Sequence, residues 1–256
     1  STITATACSS NCPFVVSGNN EGMLVIWKTE RGGLTKHAAI ERVYRTPITG
    51  LCFRTDGMRI AVCSTGDPMV RVWDMHGAIS REMCAGDAGN RAVSWSHDMR
   101  AIVTVPLRGA GGICVWDAES STRITRLEGH HRDVTCVGFV WIPTGPEGSA
   151  LMCSLITGGD DRLLRFWNFS GMVPGALGRK AFENSDRATL EIQVPSYCAA
   201  PRQPPTSTGR TSDDAKMVEL RQHDAMRVRT SMSGHDGSVL CVAGSVGGDC
   251  VVTGGM

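Results

Sequence analysis

Asp160 and Asp161 stand side by side behind Gly158 and Gly159, an arrangement with carboxylates to hold a hard cation and glycines to let a ligand approach. Such an ion takes about six to eight oxygen ligands, far more than one turn supplies. Residues 94–98, SWSHD, bring Ser94, Ser96, His97 and Asp98 together with the residue types of a hydrolytic triad. Neighbours along a strand project to alternating faces, whereas a triad must converge in space. His130 and His131 are adjacent imidazoles, better read as one internal and one loop histidine than as a metal pair. The stretch RGAGG at 108–112 has neither a phosphate-loop lysine nor a following helix and reads as a turn. Cys8 and Cys12 are separated by three residues, with no second pair to complete a four-ligand zinc site. No catalytic residue, metal, cofactor or small-molecule substrate is expected.

The background composition agrees. Of 256 residues, 41% are hydrophobic and 20% charged, enough apolar material for a core. The net charge is +1, so the chain has no global field to draw it to nucleic acid or an anionic membrane. No apolar run approaches the roughly 18 residues of a membrane span, and the opening STITATACSSNC lacks the form of a signal peptide. Most of the eleven cysteines lie in strand-like apolar runs, as buried thiols of an intracellular protein do.

The elements that position these residues recur. Trp27, Trp73, Trp116 and Trp167 end the similar stretches GMLVIW, PMVRVW, GGICVW and RLLRFW, at spacings of 46, 43 and 51 residues. Six residues before three of them stand Glu21, Asp67 and Asp161 in turns that follow Ser17-Gly18, Cys63-Ser64 and Thr157-Gly158-Gly159. Further upstream, ITGLCFRTDG, RAVSWSHDM and VTCVGFVWIP are apolar strands running into turns, with Asp56 and Asp98 in equivalent positions. Each unit is several strands joined by short turns, and a period of 40 to 50 residues is the signature of a repeat architecture.

LEGHHRDVTCVGF followed by LITGGDDRLLRFWN resembles a complete unit of the WD-repeat family of β-propellers, and MSGHDGSVLCVAGSVGGDCVVTGGM opens another with Gly234-His235. The resemblance implies an all-β propeller of four-stranded antiparallel blades, incomplete here, with five to five and a half blades. It also implies a hydrogen-bonded chain of histidine, serine or threonine, aspartate and tryptophan inside one blade, matched by His130, Thr157, Asp161 and Trp167. Asp87 and Ala110 replace the histidine and aspartate of the third unit, Cys63 the hydroxyl residue of the second, and Glu21 the aspartate of the first. Those units are expected to rely more on apolar packing.

The expected blades are 1–45, 46–85, 86–128 and 129–175, with a degenerate blade or an insertion at 176–232 and the start of a further blade at 233–256. The degenerate blade is favoured over the insertion, with APRQPPTSTGRTSDD making a mobile loop at about 200–214. The tryptophan due after Thr253-Gly254-Gly255 would fall beyond residue 256, so a fragment of a longer protein is expected. Cut at both ends, it should leave unpaired edges and aggregate.

Propellers of this family are platforms for other proteins, and the resemblance implies a non-enzymatic scaffold in a multi-subunit assembly. Candidate contact residues on the loop-rich end are Asn20, Pro68, Arg108, His131, Arg132 and Asp160. The basic stretch Arg210, Lys216, Arg221, Arg227 and Arg229 reads first as a solvated edge and second as a contact for RNA or an acidic partner. Short matches in CPFVVSG, FRTDGMRIAV and SGHDGSVLCV are similar to a subunit of the small-subunit processome. They imply nucleolar ribosome biogenesis with RNA contacted mainly through partners. The alternatives are an adaptor in vesicle coats, cilia, chromatin or ubiquitin transfer, and an accessory propeller of an enzyme. WDMH, WDAE and WNFS lack the arginine typical of the family's ubiquitin-ligase adaptors.

Overall fold

A computed structural model describes residues 1–85, 88–108, 112–144, 150–168, 231–233, 235–244 and 251–255. Among them there are only strands, bends and turns. The first sheet is β1 (Ile3–Cys8), β2 (Phe14–Asn19), β3 (Leu24–Glu30) and β4 (Gly33–Ile40). The second is β5 (Ile48–Phe53), β6 (Arg59–Ser64), β7 (Asp67–Asp74) and β8 (Ile79–Cys84), and the third β9 (Asn90–Trp95), β10 (Ala101–Pro106), β11 (Ile113–Asp117) and β12 (Arg123–Leu127). The fourth is β13 (Val134–Thr144), β14 (Ala150–Gly159), β15 (Leu163–Asn168) and β16 (Ser231–Ser233), and a two-stranded sheet of β17 (Val239–Gly244) and β18 (Val251–Gly255) follows. Every pairing is antiparallel between neighbours in sequence. These are propeller blades, four complete and part of a fifth among the described residues.

Alternation along the strands makes the core. The second strands of the second and third blades, RIAVCS and AIVTVP, are buried on both faces, because one face meets the preceding blade and the other the next. Ile102, Trp95 and Trp116 pack with Val70 and Val72 between the second and third blades. Val103, Val115, Phe139, Leu155 and Trp167 pack between the third and fourth. The outermost strand faces solvent on one side, and β4 is mostly exposed.

Inner strands β1, β5, β9, β13 and β17 lie side by side in that order, and a repeated hydrogen bond clasps them. Thr4 Oγ1 donates to the Ile48 carbonyl at 2.6 Å and Thr49 Oγ1 to that of Asn90 at 2.8 Å, while Thr135 Oγ1 donates to that of Val239. Arg91 holds the corresponding place in the third blade and reaches Asp133 of the fourth at 3.4 Å. Near the outer edge Arg81 of the second blade grips Glu119 of the third, with its side-chain contact at 2.5 Å.

One boundary differs from the sequence expectation. Leu163, Leu164 and Arg165 pair with Ser233, Met232 and Ser231, so Ser231 and Met232 form the outer strand of the fourth blade. Strand β15 of that blade ends at Asn168, β16 begins at Ser231, and β17 packs directly on β13. The spacing of tryptophans could not show this, because an interval alone does not tell which blade Ser231–Ser233 joins. The rest of 176–232, the loop at 200–214 and the basic residues from Arg210 to Arg229 lie outside the described residues, as do Asp87, Ala110 and Gly234.

Candidate functional site

Thr157 lies on β14, Trp167 on β15 pairs opposite Leu155 of β14, and the turn between the two strands carries Asp160 and Asp161. His130 precedes β13 by four residues and is buried. These four side chains meet. Trp167 Nε1 donates to Thr157 Oγ1 at 2.9 Å, and Thr157 Oγ1 lies 2.8 Å from His130 Nε2. The threonine hydroxyl accepts from the indole and gives its own proton to Nε2, which places the ring proton on Nδ1. Nδ1 faces Asp161 Oδ2 at 2.9 Å and Oδ1 at 3.0 Å.

Asp161 has further donors. The His131 amide reaches Oδ2 at 3.1 Å, the Leu163 amide reaches Oδ1 at 3.2 Å, and Arg165 Nη2 lies 3.7 Å from Oδ2. Burial pushes this carboxyl up, but the hydrogen bonds from His130 and from the two amides outweigh it, and the net shift is downward. Three N–H donors within hydrogen-bond distance thus engage this carboxylate. Asp160 is half-buried, and its amide donates to the Asp133 carbonyl at 2.8 Å. Among the described residues no group of three or more His, Cys, Asp or Glu side chains is placed to hold a metal ion.

The turn itself needs a left-handed residue. Arg162 takes it with φ of 66°, and Gly22 takes the matching position in the first blade with φ of 78°. A Cβ at Gly22 would run into the Tyr44 carbonyl. Gly159 packs its α-carbon against the network, where an added Cβ would lie 3.0 Å from His130 Nδ1 and 3.1 Å from Asp161 Oδ1.

The same construction recurs with substitutions. In the last blade His235 Nε2 lies 2.8 Å from Thr253 Oγ1, and Gly255 abuts His235 as Gly159 abuts His130. In the third, Trp116 Nε1 donates to Thr104 Oγ1 at 3.0 Å, and in the first Trp27 Nε1 donates to Ser17 Oγ at 2.8 Å. Two substitutions differ from the sequence expectation. In the first blade the turn amides are held by Asn19 rather than Glu21: Asn19 Oδ1 accepts from the amides of Glu21 at 3.0 Å and Met23 at 2.8 Å. The shorter Asn19 side chain starts two residues earlier and closes the turn directly, leaving Glu21 exposed.

In the second blade the residue opposite Arg71, and so in the place of Thr157 opposite Arg165, is Val62 rather than Cys63, because the register shifts between Val62 and Ser64. Valine offers no acceptor, and Trp73 Nε1 is buried with no hydrogen-bond partner. Tyr44, four residues before β5, stands where His130 precedes β13. Its hydroxyl lies 2.7 Å from the Val62 carbonyl and 2.9 Å from that of Met69, and burial pushes the phenol's pKa up. Asp67 accepts the Met69 amide at 2.8 Å and Arg71 at 3.0 Å, and Arg71 also lies over the Tyr44 ring at 4.5 Å.

The SWSHD stretch does not converge. Ser96 Oγ donates to Asp98 Oδ1 at 2.6 Å and accepts the Ala101 amide at 2.9 Å, closing the turn between β9 and β10. The His97 ring instead meets Phe139 of the next blade at 6.2 Å, edge to face.

The loop residues named from sequence lie at one end of the blades, where the second and third strands turn and the inner strand begins. Asn20, Arg108, His131 and Arg132 are exposed, and Pro68 and Asp160 are partly buried. Arg45, not singled out from sequence, is exposed beside Tyr44 in the place His131 holds beside His130. Its signal was the four-residue offset from an inner strand, hidden because tyrosine replaces histidine.

Three segments, 39–74, 121–168 and 226–256, match the family model for the WD domain, G-beta repeat. The chain is 25% identical over 161 residues to Protein FIZZY-RELATED 3 of Arabidopsis thaliana and 24% over 161 residues to the B-type cell cycle switch protein ccs52B of Medicago truncatula, each covering 60% of this chain and 30% of the relative. It is 23% identical over 196 residues to Protein hir1 of Schizosaccharomyces pombe, covering 77% of this chain and 17% of that protein. The chain thus spans about a third or less of the curated relatives it matches.

Proposed function

We propose that this chain, which is built from WD-family repeats, is a non-enzymatic scaffold that holds other proteins in a multi-subunit assembly. One observation carries the reading. The buried groups with the chemistry for catalysis, His130, Thr157 and Asp161, are joined to one another and to strand amides, while exposed side chains crown the same end of the blades. A buried network with its hydrogen bonds satisfied rigidifies a fold and has little capacity left for substrate. Asn20, Pro68, Arg108, His131, Arg132 and Asp160 are the proposed contacts, with no cofactor or small-molecule substrate.

Two settings have separate support. Similarity to a protein named as a cell cycle switch supports a role in cell-cycle control. Short matches in CPFVVSG and SGHDGSVLCV support a nucleolar role in the small-subunit processome, with RNA met through partners. Affinity purification of the full-length protein with mass spectrometry separates them. Stoichiometric ribosome-assembly factors establish the second setting, and their absence beside cell-cycle regulators removes it. A purified full-length protein with a catalytic turnover that Arg108, His131 and Arg132 variants leave intact would overturn the scaffold reading.

A further inference from the structure

The turns at the loop end of the third and fourth blades are tied into one surface. The Leu107 amide donates to the Gly89 carbonyl at 2.8 Å, which places Arg108 beside the head of β9. Arg91 of β9 reaches Asp133 of the fourth blade at 3.4 Å, and the Asp133 carbonyl accepts the Asp160 amide at 2.8 Å. The His131 amide donates to Asp161 at 3.1 Å. Arg108, His131, Arg132 and Arg162 thus belong to one continuous set of turns, and all four are exposed. Strand β15 ends at Asn168, at the other end of its blade.

Charge on this surface is unbalanced. Asp161 is engaged by His130 and two backbone amides, Asp133 pairs with Arg91, and Glu128 pairs with Arg126. The remaining carboxylate, Asp160, is half-buried. Among the described residues no ion pair takes in Arg108, Arg132 or Arg162. Arg162 also holds a left-handed φ of 66°, the conformation that Gly22 supplies in the first blade. The surface therefore carries an exposed guanidinium at a position where the backbone favours glycine.

We propose that this surface binds an acidic segment of a partner protein, rich in Asp or Glu, through Arg108, Arg132 and Arg162, with His131 as a further donor. The proposal rests on the scaffold reading above and adds the chemistry of the partner. A guanidinium fork matches a carboxylate in two parallel hydrogen bonds, and this chain leaves three such forks without a carboxylate of their own. RNA fits the surface less well. No described Phe, Tyr or Trp is exposed to stack a base, and a net charge of +1 gives no wider field for a polyanion.

The test is fluorescence anisotropy of the full-length protein with a labelled polyglutamate peptide, beside polylysine and oligouridylate. Circular dichroism and thermal melting confirm that each variant is folded. The wild type is expected to bind polyglutamate, less tightly as salt is raised, and to leave polylysine unbound. Arg108→Glu, Arg132→Glu and Arg162→Glu should each weaken binding by about fivefold, and the triple change should abolish it. Arg31→Glu, exposed in the turn between β3 and β4 at the opposite end of the first blade, should leave it unchanged. A wild type without affinity for polyglutamate overturns the proposal, and so does binding that the three reversals leave intact. Oligouridylate bound more tightly than polyglutamate, and lost in the same variants, would make the surface a nucleic-acid contact and also overturns it. Partner capture with the same protein separates this result from the reading beneath it. Partners captured by a wild type that ignores polyglutamate remove the acidic segment and leave the scaffold standing, whereas a wild type that captures no partner removes both.

Discussion

Thr157→Val removes one hydroxyl and almost no volume, and its consequence can be worked from three distances. The hydroxyl is 2.9 Å from Trp167 Nε1 and 2.8 Å from His130 Nε2, and His130 in turn faces Asp161 at 2.9 Å. The variant leaves an indole N–H and an imidazole nitrogen unsatisfied at a site where Thr157 is fully buried and Trp167 is 1% exposed. Each stranded group costs about 1–3 kcal/mol, so a loss of roughly 2–6 kcal/mol is expected. The reverse change is available in the same molecule. Val62 occupies the equivalent place under Trp73, whose Nε1 is buried with no hydrogen-bond partner, and Val62→Thr should supply one and stabilise the second blade by about 0.5–1.5 kcal/mol. Urea unfolding followed by tryptophan fluorescence reads both as midpoint shifts at constant slope. A Thr157→Val midpoint within about 0.5 kcal/mol of wild type, well below the cost of even one stranded group, would refute the reasoning.

Further outcomes follow from the same geometry. Asp161→Ala should cost about 1–3 kcal/mol and change no ion affinity in calorimetric titration with Mg²⁺ or Ca²⁺; tight binding by the wild type would restore a metal role. Because the Asp161 carboxyl titrates below its ordinary range near about 4, its contribution is complete above that range and is lost as pH falls through the lowered value. The wild type should therefore lose more stability than Asp161→Ala between neutral pH and acid, which parallel pH series of urea midpoints would check. Gly22→Ala, at φ of 78° against the Tyr44 carbonyl, should destabilise by about 2 kcal/mol or more, whereas Gly32→Ala, with open space around it, should cost less in the same melt. Burial pushes the Cys63 thiol up to about 12 and Cys136 to about 11, so a maleimide should label exposed Cys8 and Cys241 in the native protein and reach these two only on unfolding. Equal labelling of Cys63 and Cys8 without denaturant would contradict the packing.

Repeat period and residue type made the blades legible before any coordinates. Trp27, Trp73, Trp116 and Trp167 each end up on the third strand of a blade. His130, Thr157 and Asp161 were legible because they complete a repeat unit and fall at fixed offsets from a tryptophan. The departures were not legible for local reasons. A register shift between Val62 and Ser64 moves the hydroxyl position by one residue, and spacing counted from Trp73 lands on Cys63. Asn19 takes over the turn that spacing assigns to Glu21, because amide capping depends on side-chain length as well as on position. The clasps of Thr4 and Thr49 join strands 44 and 41 residues apart, and a threonine at the head of a strand carries no mark of which carbonyl it will meet. Met232 on the outer edge of the fourth blade is set by pairing with Leu164, a contact that no local pattern encodes.

The central claim is that buried polar groups hold the blades while the exposed loops above them carry the function. Its most direct test compares two variants of the full-length protein, Asp161→Ala and the triple change Arg108→Ala, His131→Ala, Arg132→Ala, in thermal melting and in quantitative partner capture. The triple variant is expected to melt with the wild type and lose its co-purifying partners, and Asp161→Ala to melt earlier and, below its transition, keep them. A triple variant that retains every partner, or an Asp161→Ala protein that melts with the wild type, would contradict the account.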